Sequence, residues 1–445
     1  MKTAPRLFGT DGIRGRALEP PLDEDTVRRL GHCLALRLRG SADPPRLLLA
    51  GDTRRSTEVL AAWLGGSFAA AGGRVTWAGV LPTPAVSRLL RTDGFTAGVV
   101  ISASHNPASD NGIKVISSTG EKIPDGVERE LEAAMPAARP RLGPILPRPE
   151  TAYLERYLDL IVATHGEARP LSGARIVVDA AHGAASGVAE TFFERLGARV
   201  SSIASAPDGD NINAGCGATA ADGLAEAVVA TGGEAGVALD GDADRALLAD
   251  ETGRVLDGDD ILLAWARDLS RRRRLPGGRV VATVMSNFGL ERALHSEGLE
   301  LHRCGVGDRV VWTAMKELDA ALGGEQSGHV ICSHLSVTGD GLLTASHVLA
   351  IGIIGAHRAS ELSDLVRMPQ VLLNIPVREK IPFEGLPTVS RELADTRRAL
   401  HGRGRILLRY SGTEALARVM VEGEDATEIN GVATQLADAI RVDLR

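Results

Sequence analysis

A chain of 445 residues is too long for one hydrophobic core, and at the usual domain size it holds roughly three or four units. Its 44% hydrophobic and 24% charged residues are those of an ordinary multidomain globular protein, while 3% aromatic residues argue against base stacking on exposed rings, so no nucleic-acid partner is expected. A net charge of -7 is modest for this size, and an anionic substrate would have to be drawn by local Arg and Lys clusters.

The first segment of note is FGTDGIRG at 8–15, which sets Thr10 and Arg14 among three glycines. Glycine at that density implies close approach to a neighbouring strand or a ligand. Three later segments share one grammar: an Arg opening an aliphatic strand, a small or polar turn, an amphipathic helix, and a Gly turn into a second strand. They begin at Arg46, Arg175 and Arg279. Alternating strands and helices predict mixed, parallel-rich sheets covered on both faces, with ligands at the carboxyl ends of the strands. The proline-rich stretch 135–150 can sustain neither a helix interior nor a central strand, and marks a boundary. Further boundaries follow the strand pair around Glu251-Thr252-Gly253 and precede the strand in MPQVLLNIPVREK. The expected domains are 1–150, 151–256, 257–370 and 371–445: three related α/β domains and a smaller α+β domain whose final helix begins at Asp425. Arg271 to Arg274 read as a solvated helix end, where the dipole favours cations.

Cys33, Cys216, Cys304 and Cys332 are scattered without a C-x-x-C pair, which speaks against a disulfide framework or zinc site and for a reducing compartment. The start MKTAPRLFGTDG lacks the apolar core of a signal peptide, and the most apolar helical stretch, 342–356, is interrupted by Thr344, Ser346 and His347. A cytoplasmic protein without membrane contact is expected.

The chemistry concentrates in four segments. In AGVALDGDADR a strand ends at Leu239 and three carboxylates follow at alternate positions, Asp240, Asp242 and Asp244. Their repulsion needs an offset, which a hard divalent cation supplies. An EF-hand loop is excluded, because Arg245 stands where that loop needs Gly and the flanks are strands. Arg245 instead suits a site where metal and guanidinium share a phosphate. In GVVISASHNPASDNGIKV the strand Gly98 to Ile101 runs into a turn with Ser104 and His105, and Lys114 lies shortly beyond. Taken alone this is a nucleophile or phosphate-carrying position, or, as for most turn serines, a hydroxyl bonded to backbone. GGEQSGHV at 323–330 offers Glu325, Ser327 and His329 for sugar hydroxyls. RYSGTEALAR at 409–418 joins two strands and offers Arg409, Ser411, the Gly412 and Thr413 amides and Arg418 as an anion cradle. A plain hairpin turn is the alternative for each of the last two.

FGTDGIRG, ISASHNP, DGDADR, GEQSGH and RYSGTE occur in the order found in the α-D-phosphohexomutase superfamily, which the chain resembles over nearly its whole length. The resemblance implies four domains around a central cleft, with one loop from each facing the substrate. It makes Ser104 the phosphoserine, whose phosphate with Asp240, Asp242 and Asp244 binds one Mg2+. Glu325, Ser327 and His329 would recognise the sugar together with Thr10, and Arg409, Ser411, Gly412, Thr413 and Arg418 would hold the phosphate that is not reacting. Arg245, Lys114, His105 and Arg14 would transfer protons or steady the moving phosphoryl group. Within the superfamily, the GEQSGH loop, FGTDGIRG, VMSNFGLE, VGDR and SGTEALARVMVEG are most similar to the branch acting on hexosamine phosphates. That implies an isomerase interconverting glucosamine 6-phosphate and glucosamine 1-phosphate, with glucosamine or glucose 1,6-bisphosphate as intermediate or activator, feeding UDP-N-acetylglucosamine and cell-wall precursor synthesis, as monomer or homodimer. The alternatives are a phosphomannomutase or phosphoglucomutase, a serine hydrolase built on Ser104 and His105, and a noncatalytic sugar-phosphate sensor. Two positions depart from the family pattern: Ala243 replaces the second glycine of DGDGDR, and Ala415 replaces the proline after SGTE. If position 243 needs a positive φ, alanine there costs about 1 kcal/mol.

Overall fold

The aliphatic runs opened by Arg46, Arg175 and Arg279 form the strands Arg46–Gly51, Arg175–Asp179 and Arg279–Thr283 in the computed structural model, which describes residues 6–40, 44–354, 358–411 and 415–444. Arg46 and Arg175 stay exposed, and the residues after them are buried. Continuous apolar runs of this kind lie inside sheets covered on both faces.

Packing divides the chain into two units, residues 1–283 with 304–364, and residues 284–303 with 365–445. In the first unit, one five-stranded sheet has the order Ile13–Arg16, Asp110–Ser117, Ala97–Ile101, Arg46–Gly51, Arg74–Val80. Its first two pairings are antiparallel and its last two parallel. A second sheet repeats the plan with Val255–Leu256, Ala246–Asp250, Ala235–Leu239, Arg175–Asp179 and Arg199–Ile203. In the third, Arg279–Thr283 pairs parallel with Leu322–Gly324, which pairs antiparallel with Val330–Cys332. The expected internal repeat is therefore present as sheet topology. Val99, Ile101, Leu47 and Leu49 anchor the first core, and Val177, Val228 and Ala238 lie in the second.

The second unit has an antiparallel sheet ordered Gln370–Pro376, Leu416–Gly423, Gly404–Tyr410, with helices Pro387–Ala399 and Ala426–Asp443. Its core includes Val389, Val419, Val421, Ile429 and Leu436. Asp425 caps the last helix as expected, accepting bonds from the Thr427 and Glu428 amides. The stretch after the short 3-10 turn Met135–Ala137 has neither helix nor strand, and Leu142 and Ile145 are exposed in it. Arg271 to Arg274 close the helix Gly258–Arg271 in solvent. Among the described residues no helix is long and apolar enough to cross a membrane.

Candidate active site

Equivalent strands of the first two sheets, Ala97–Ile101 and Ala235–Leu239, deliver the two chemical loops from their carboxyl ends. Ser104 follows the first strand at φ +52, a left-handed conformation that a non-glycine residue keeps only when its surroundings over-determine it. Its Oγ donates a 2.6 Å hydrogen bond to Asp240 Oδ2, across 136 residues of sequence. Its amide donates to Ser102 Oγ at 3.0 Å, and Ser102 Oγ donates to Asp52 Oδ2 at 2.6 Å. The glycine between Asp240 and Asp242 is explained by this contact. A Cβ on Gly241 would meet the Ser104 carbonyl oxygen at 2.6 Å and Asn213 Nδ2 at 2.8 Å. Ala243 does adopt a positive φ, +56, so the strain anticipated from its departure from glycine is real.

Asp240, Asp242 and Asp244 are buried, and one ligand atom of each lies within 4.8 Å of the others. Burial first, then Asp244 and Asp242, push the Asp240 carboxyl up to about 8. Asp242 Oδ2 receives Lys114 Nζ at 2.7 Å and the Thr83 hydroxyl, while Asp242 Oδ1 and Asp244 Oδ1 are buried without a hydrogen-bond donor. Buried carboxylate oxygens left in that state are costly unless a cation takes them. The donor set, all hard oxygen, fits a divalent cation of the magnesium class.

Cations surround this cluster. Burial alone would push Lys114 down, but Asp11, Asp242 and Asp244 raise it above the ordinary lysine range, so it is a fixed ammonium. Asp11 pairs with Lys114 at 3.2 Å and also with Arg14 and Lys122, and these cations hold it well below the usual carboxylate range against its burial. Lys122 reaches on to Asp308. His105 Nδ1 lies 3.4 Å from Ser104 Oγ, and burial, Arg245 and Arg14 lower its pKa and keep it neutral. His329 is buried with Nδ1 3.5 Å from Asp244 Oδ2, and its Nε2 accepts from the Gly339 amide at 3.1 Å. Burial lowers its pKa and the carboxylates of Asp244, Asp308 and Glu325 raise it, to a net increase. The Gly339 amide nevertheless needs Nε2 unprotonated, which fixes the neutral tautomer with the proton on Nδ1.

A cavity of about 360 Å³ opens over these groups, lined among others by Thr10, Arg14, His105, Asp244, Arg245, Glu325 and His329. Glu325 Oε1 accepts the Gly307 amide at 3.0 Å. The loop carrying it is tied to the second sheet by the Ala246 amide, which donates to Gly328 O at 3.1 Å, and the carboxylate loop is tied to the start of helix Gly341–Ile354 by the Gly341 amide, which donates to Ala243 O at 2.9 Å. Ser327 is exposed and does not line the cavity. The N-terminal motif is tied down by the strand Ile13–Arg16, and a Cβ on Gly12 would come within 2.3 Å of Ile113 O. Sequence reading passed over Asp11, Thr83, Lys122, Asp308, Asp52, Arg54 and Asn213. Two of them had a signal, Asp11 in its place between Thr10 and Arg14 in FGTDGIRG and Asp308 within VGDR.

In the second unit, Arg409 and Arg418 stand directly opposite in the antiparallel ladder. Like charges so placed repel unless an anion lies between or near them. Ser411 is buried, its amide donating to Leu416 O at 2.8 Å, and Lys380 Nζ donates to Ser411 O at 2.5 Å. Gly412 and Thr413 lie outside the described residues.

Four family models match the chain in succession: phosphoglucomutase/phosphomannomutase α/β/α domains I, II and III over residues 5–141, 152–253 and 257–371, and the C-terminal domain over 372–439. The phosphoglucosamine mutase of Solibacter usitatus is 44% identical over 444 residues, 98% of this chain and 99% of that protein. That of Symbiobacterium thermophilum is 45% identical over 451 residues, 99% of this chain and all of that protein, 100%. Among solved structures, a phosphoglucomutase/phosphomannomutase family protein from Burkholderia thailandensis superposes with TM-score 0.82 at 24% identity, over 99% of this chain and 98% of that one. The Aspergillus fumigatus N-acetylphosphoglucosamine mutase, solved with GlcNAc-6P and magnesium, superposes with TM-score 0.64 at 18% identity, over 99% and 96%.

Proposed function

The chain belongs to the phosphoglucomutase/phosphomannomutase family, and from that premise we propose that it interconverts glucosamine 6-phosphate and glucosamine 1-phosphate through a phosphoserine at residue 104. The observation that carries the reading is the 2.6 Å contact of Ser104 Oγ with Asp240 in a buried three-carboxylate cluster. A phosphate on Ser104 would bring a second anion against that cluster, which demands a cation. Asp240, Asp242, Asp244 and the Ser104 phosphate would hold it, and we take it to be Mg2+. When bound it neutralises charge on the phosphoryl oxygens.

Phosphoryl transfer depends on positioning and charge. The sugar hydroxyl gives up its proton and takes the phosphoryl group, the bond from phosphorus to Ser104 Oγ breaks, and Oγ recovers a proton. The resulting 1,6-bisphosphate turns over, and its other phosphoryl group returns to Ser104 by the same exchange. His105, neutral and 3.4 Å from Ser104 Oγ, is suited to hold the proton. Lys114, a locked cation, is suited to steady the moving group, as are Arg245 and Arg14. Thr10, Glu325 and His329, which line the cavity, bind the sugar, whereas Ser327 lies outside it and is given no sugar contact, and Arg409, Ser411, Gly412, Thr413 and Arg418 hold the other phosphate. The four domains divide at 150, 256 and 370. The four cysteines are unpaired, which supports a cytoplasmic home, as monomer or homodimer.

Ser104→Ala should reduce turnover of bisphosphate-primed enzyme to below about one per cent, since the covalent carrier is lost. Near-normal activity would sink the phosphoserine role. Comparing kcat/KM on glucosamine, glucose and mannose 6-phosphates tests the sugar, and a preference for glucose or mannose would contradict it.

A further inference from the structure

The turn that follows strand Arg46–Gly51 places Arg54 beneath the Ser104 loop, with its side chain wholly buried against Asp52. Its Nε binds Asp52 Oδ2 at 2.9 Å. The two remaining nitrogens all face main-chain carbonyls of the nucleophile loop: Ser104 at 3.0 Å, Asn106 at 2.8 Å, Asp110 at 2.9 Å, and Pro107. A planar guanidinium with five donors is the one side chain able to bind a carboxylate and several carbonyls at once.

A second donor reaches two of the same carbonyls from the other sheet. Asn213, beyond strand Arg199–Ile203 and itself at φ +58, directs Nδ2 to Ser104 O at 2.9 Å and Asn106 O at 3.1 Å. Its own position is set by its amide, which donates to Ala181 O at 2.9 Å. Each of these two carbonyls thus receives one donor from the sheet that carries Ser104 and one from the sheet that carries Asp240. Two donors satisfy both lone pairs of a carbonyl oxygen. Gly241, with room for no Cβ beneath the Ser104 carbonyl, completes the close contact.

We propose that Arg54 and Asn213 are positioning residues that act as a two-sided clamp on the Ser104 and Asn106 carbonyls, holding the nucleophile in its left-handed conformation at a fixed distance from the carboxylate cluster. Neither side chain reaches Ser104 Oγ, so the clamp acts through the backbone. The inference rests on the mutase reading. Displacements near 1 Å cost transfer reactions up to about a hundredfold, and that sets the scale of the effect.

The test compares the full-length enzyme with Asn213→Ala, Asn213→Asp and Arg54→Lys, measuring kcat and KM for glucosamine 6-phosphate and the Tm. Asn213→Asp keeps the shape and removes the donor, and Arg54→Lys keeps the charge opposite Asp52 and removes the fork. The clamp predicts kcat lowered roughly ten- to a hundredfold with KM within about twofold and Tm of the Asn213 variants within a few degrees. Wild-type kcat in both Asn213 variants overturns the proposal, as does a loss of kcat that follows the Tm. Should Arg54→Lys fail to fold, the Asn213 pair decides. A wild-type enzyme inactive on glucosamine phosphates would sink the functional reading instead, so the two failures are separable.

Discussion

Gly241 and Ala243 stand two residues apart in the carboxylate loop and answer to different constraints. At Gly241 the limit is space: alanine would drive its Cβ into the Ser104 carbonyl at 2.6 Å. Gly241→Ala should separate the two loops, lowering kcat at least tenfold and stability by roughly 1–3 kcal/mol of overpacking. Activity at the wild-type level would show that the loops do not act as one unit. At Ala243 the limit is conformation, since φ is +56. Ala243→Gly relieves that strain but frees the unfolded chain, so the net gain is about 0.5 kcal/mol, read as a small rise in Tm with unchanged kcat. A fall in Tm would contradict it. The three aspartates were legible because they are neighbours in sequence. Their partners were not: Lys114 meets Asp242 across 128 residues and Thr83 meets it across 159, and no local pattern carries such contacts.

Elements show a similar division. The strands opened by Arg46, Arg175 and Arg279 are readable from aliphatic runs, and so are mixed sheets, whereas the strand order within each sheet is set by pairings no local pattern carries. How loops are braced is less visible. The helix Gly258–Arg271 starts in a capping box, Asp257 accepting from the Asp259 amide at 2.9 Å while Asp260 accepts from the Asp257 amide at 3.1 Å. The same Asp257 carboxylate accepts Gln326 Nε2 at 3.2 Å, within the GEQSGH loop. One residue therefore caps a helix and braces the loop assigned to the sugar. Asp257→Ala should cost about 1 kcal/mol through the lost cap and raise KM for glucosamine 6-phosphate severalfold with little change in kcat. An unaltered KM in the folded variant would separate the cap from the loop.

Across the first unit, His165 and His347 stack at 4.0 Å between separate helical segments, with Trp265 continuing the stack at 5.9 Å from His347. Burial pushes His165 down to about 4. Burial, His165 and the arginines Arg272, Arg88 and Arg274 push His347 down to about 3. Both therefore stay neutral in the folded chain where the unfolded chain, near 6.5, already takes up protons. The stability they allow is present above pH 6.5 and is lost as pH falls through their folded values. The Tm should drop between pH 6.5 and 4.5, and His347→Phe, which keeps a ring and cannot be protonated, should flatten that drop. Equal pH slopes for variant and parent would refute it.

The claim on which the whole molecule's function depends is that Ser104 carries the phosphoryl group. The most direct measurement is intact mass with peptide mapping of the enzyme after treatment with phosphatase and again after priming with glucose 1,6-bisphosphate. The account predicts one phosphate gained on priming, located on Ser104, and its loss in Ser104→Ala. A turning-over enzyme that acquires no phosphate on priming, or carries it on another residue, would contradict it.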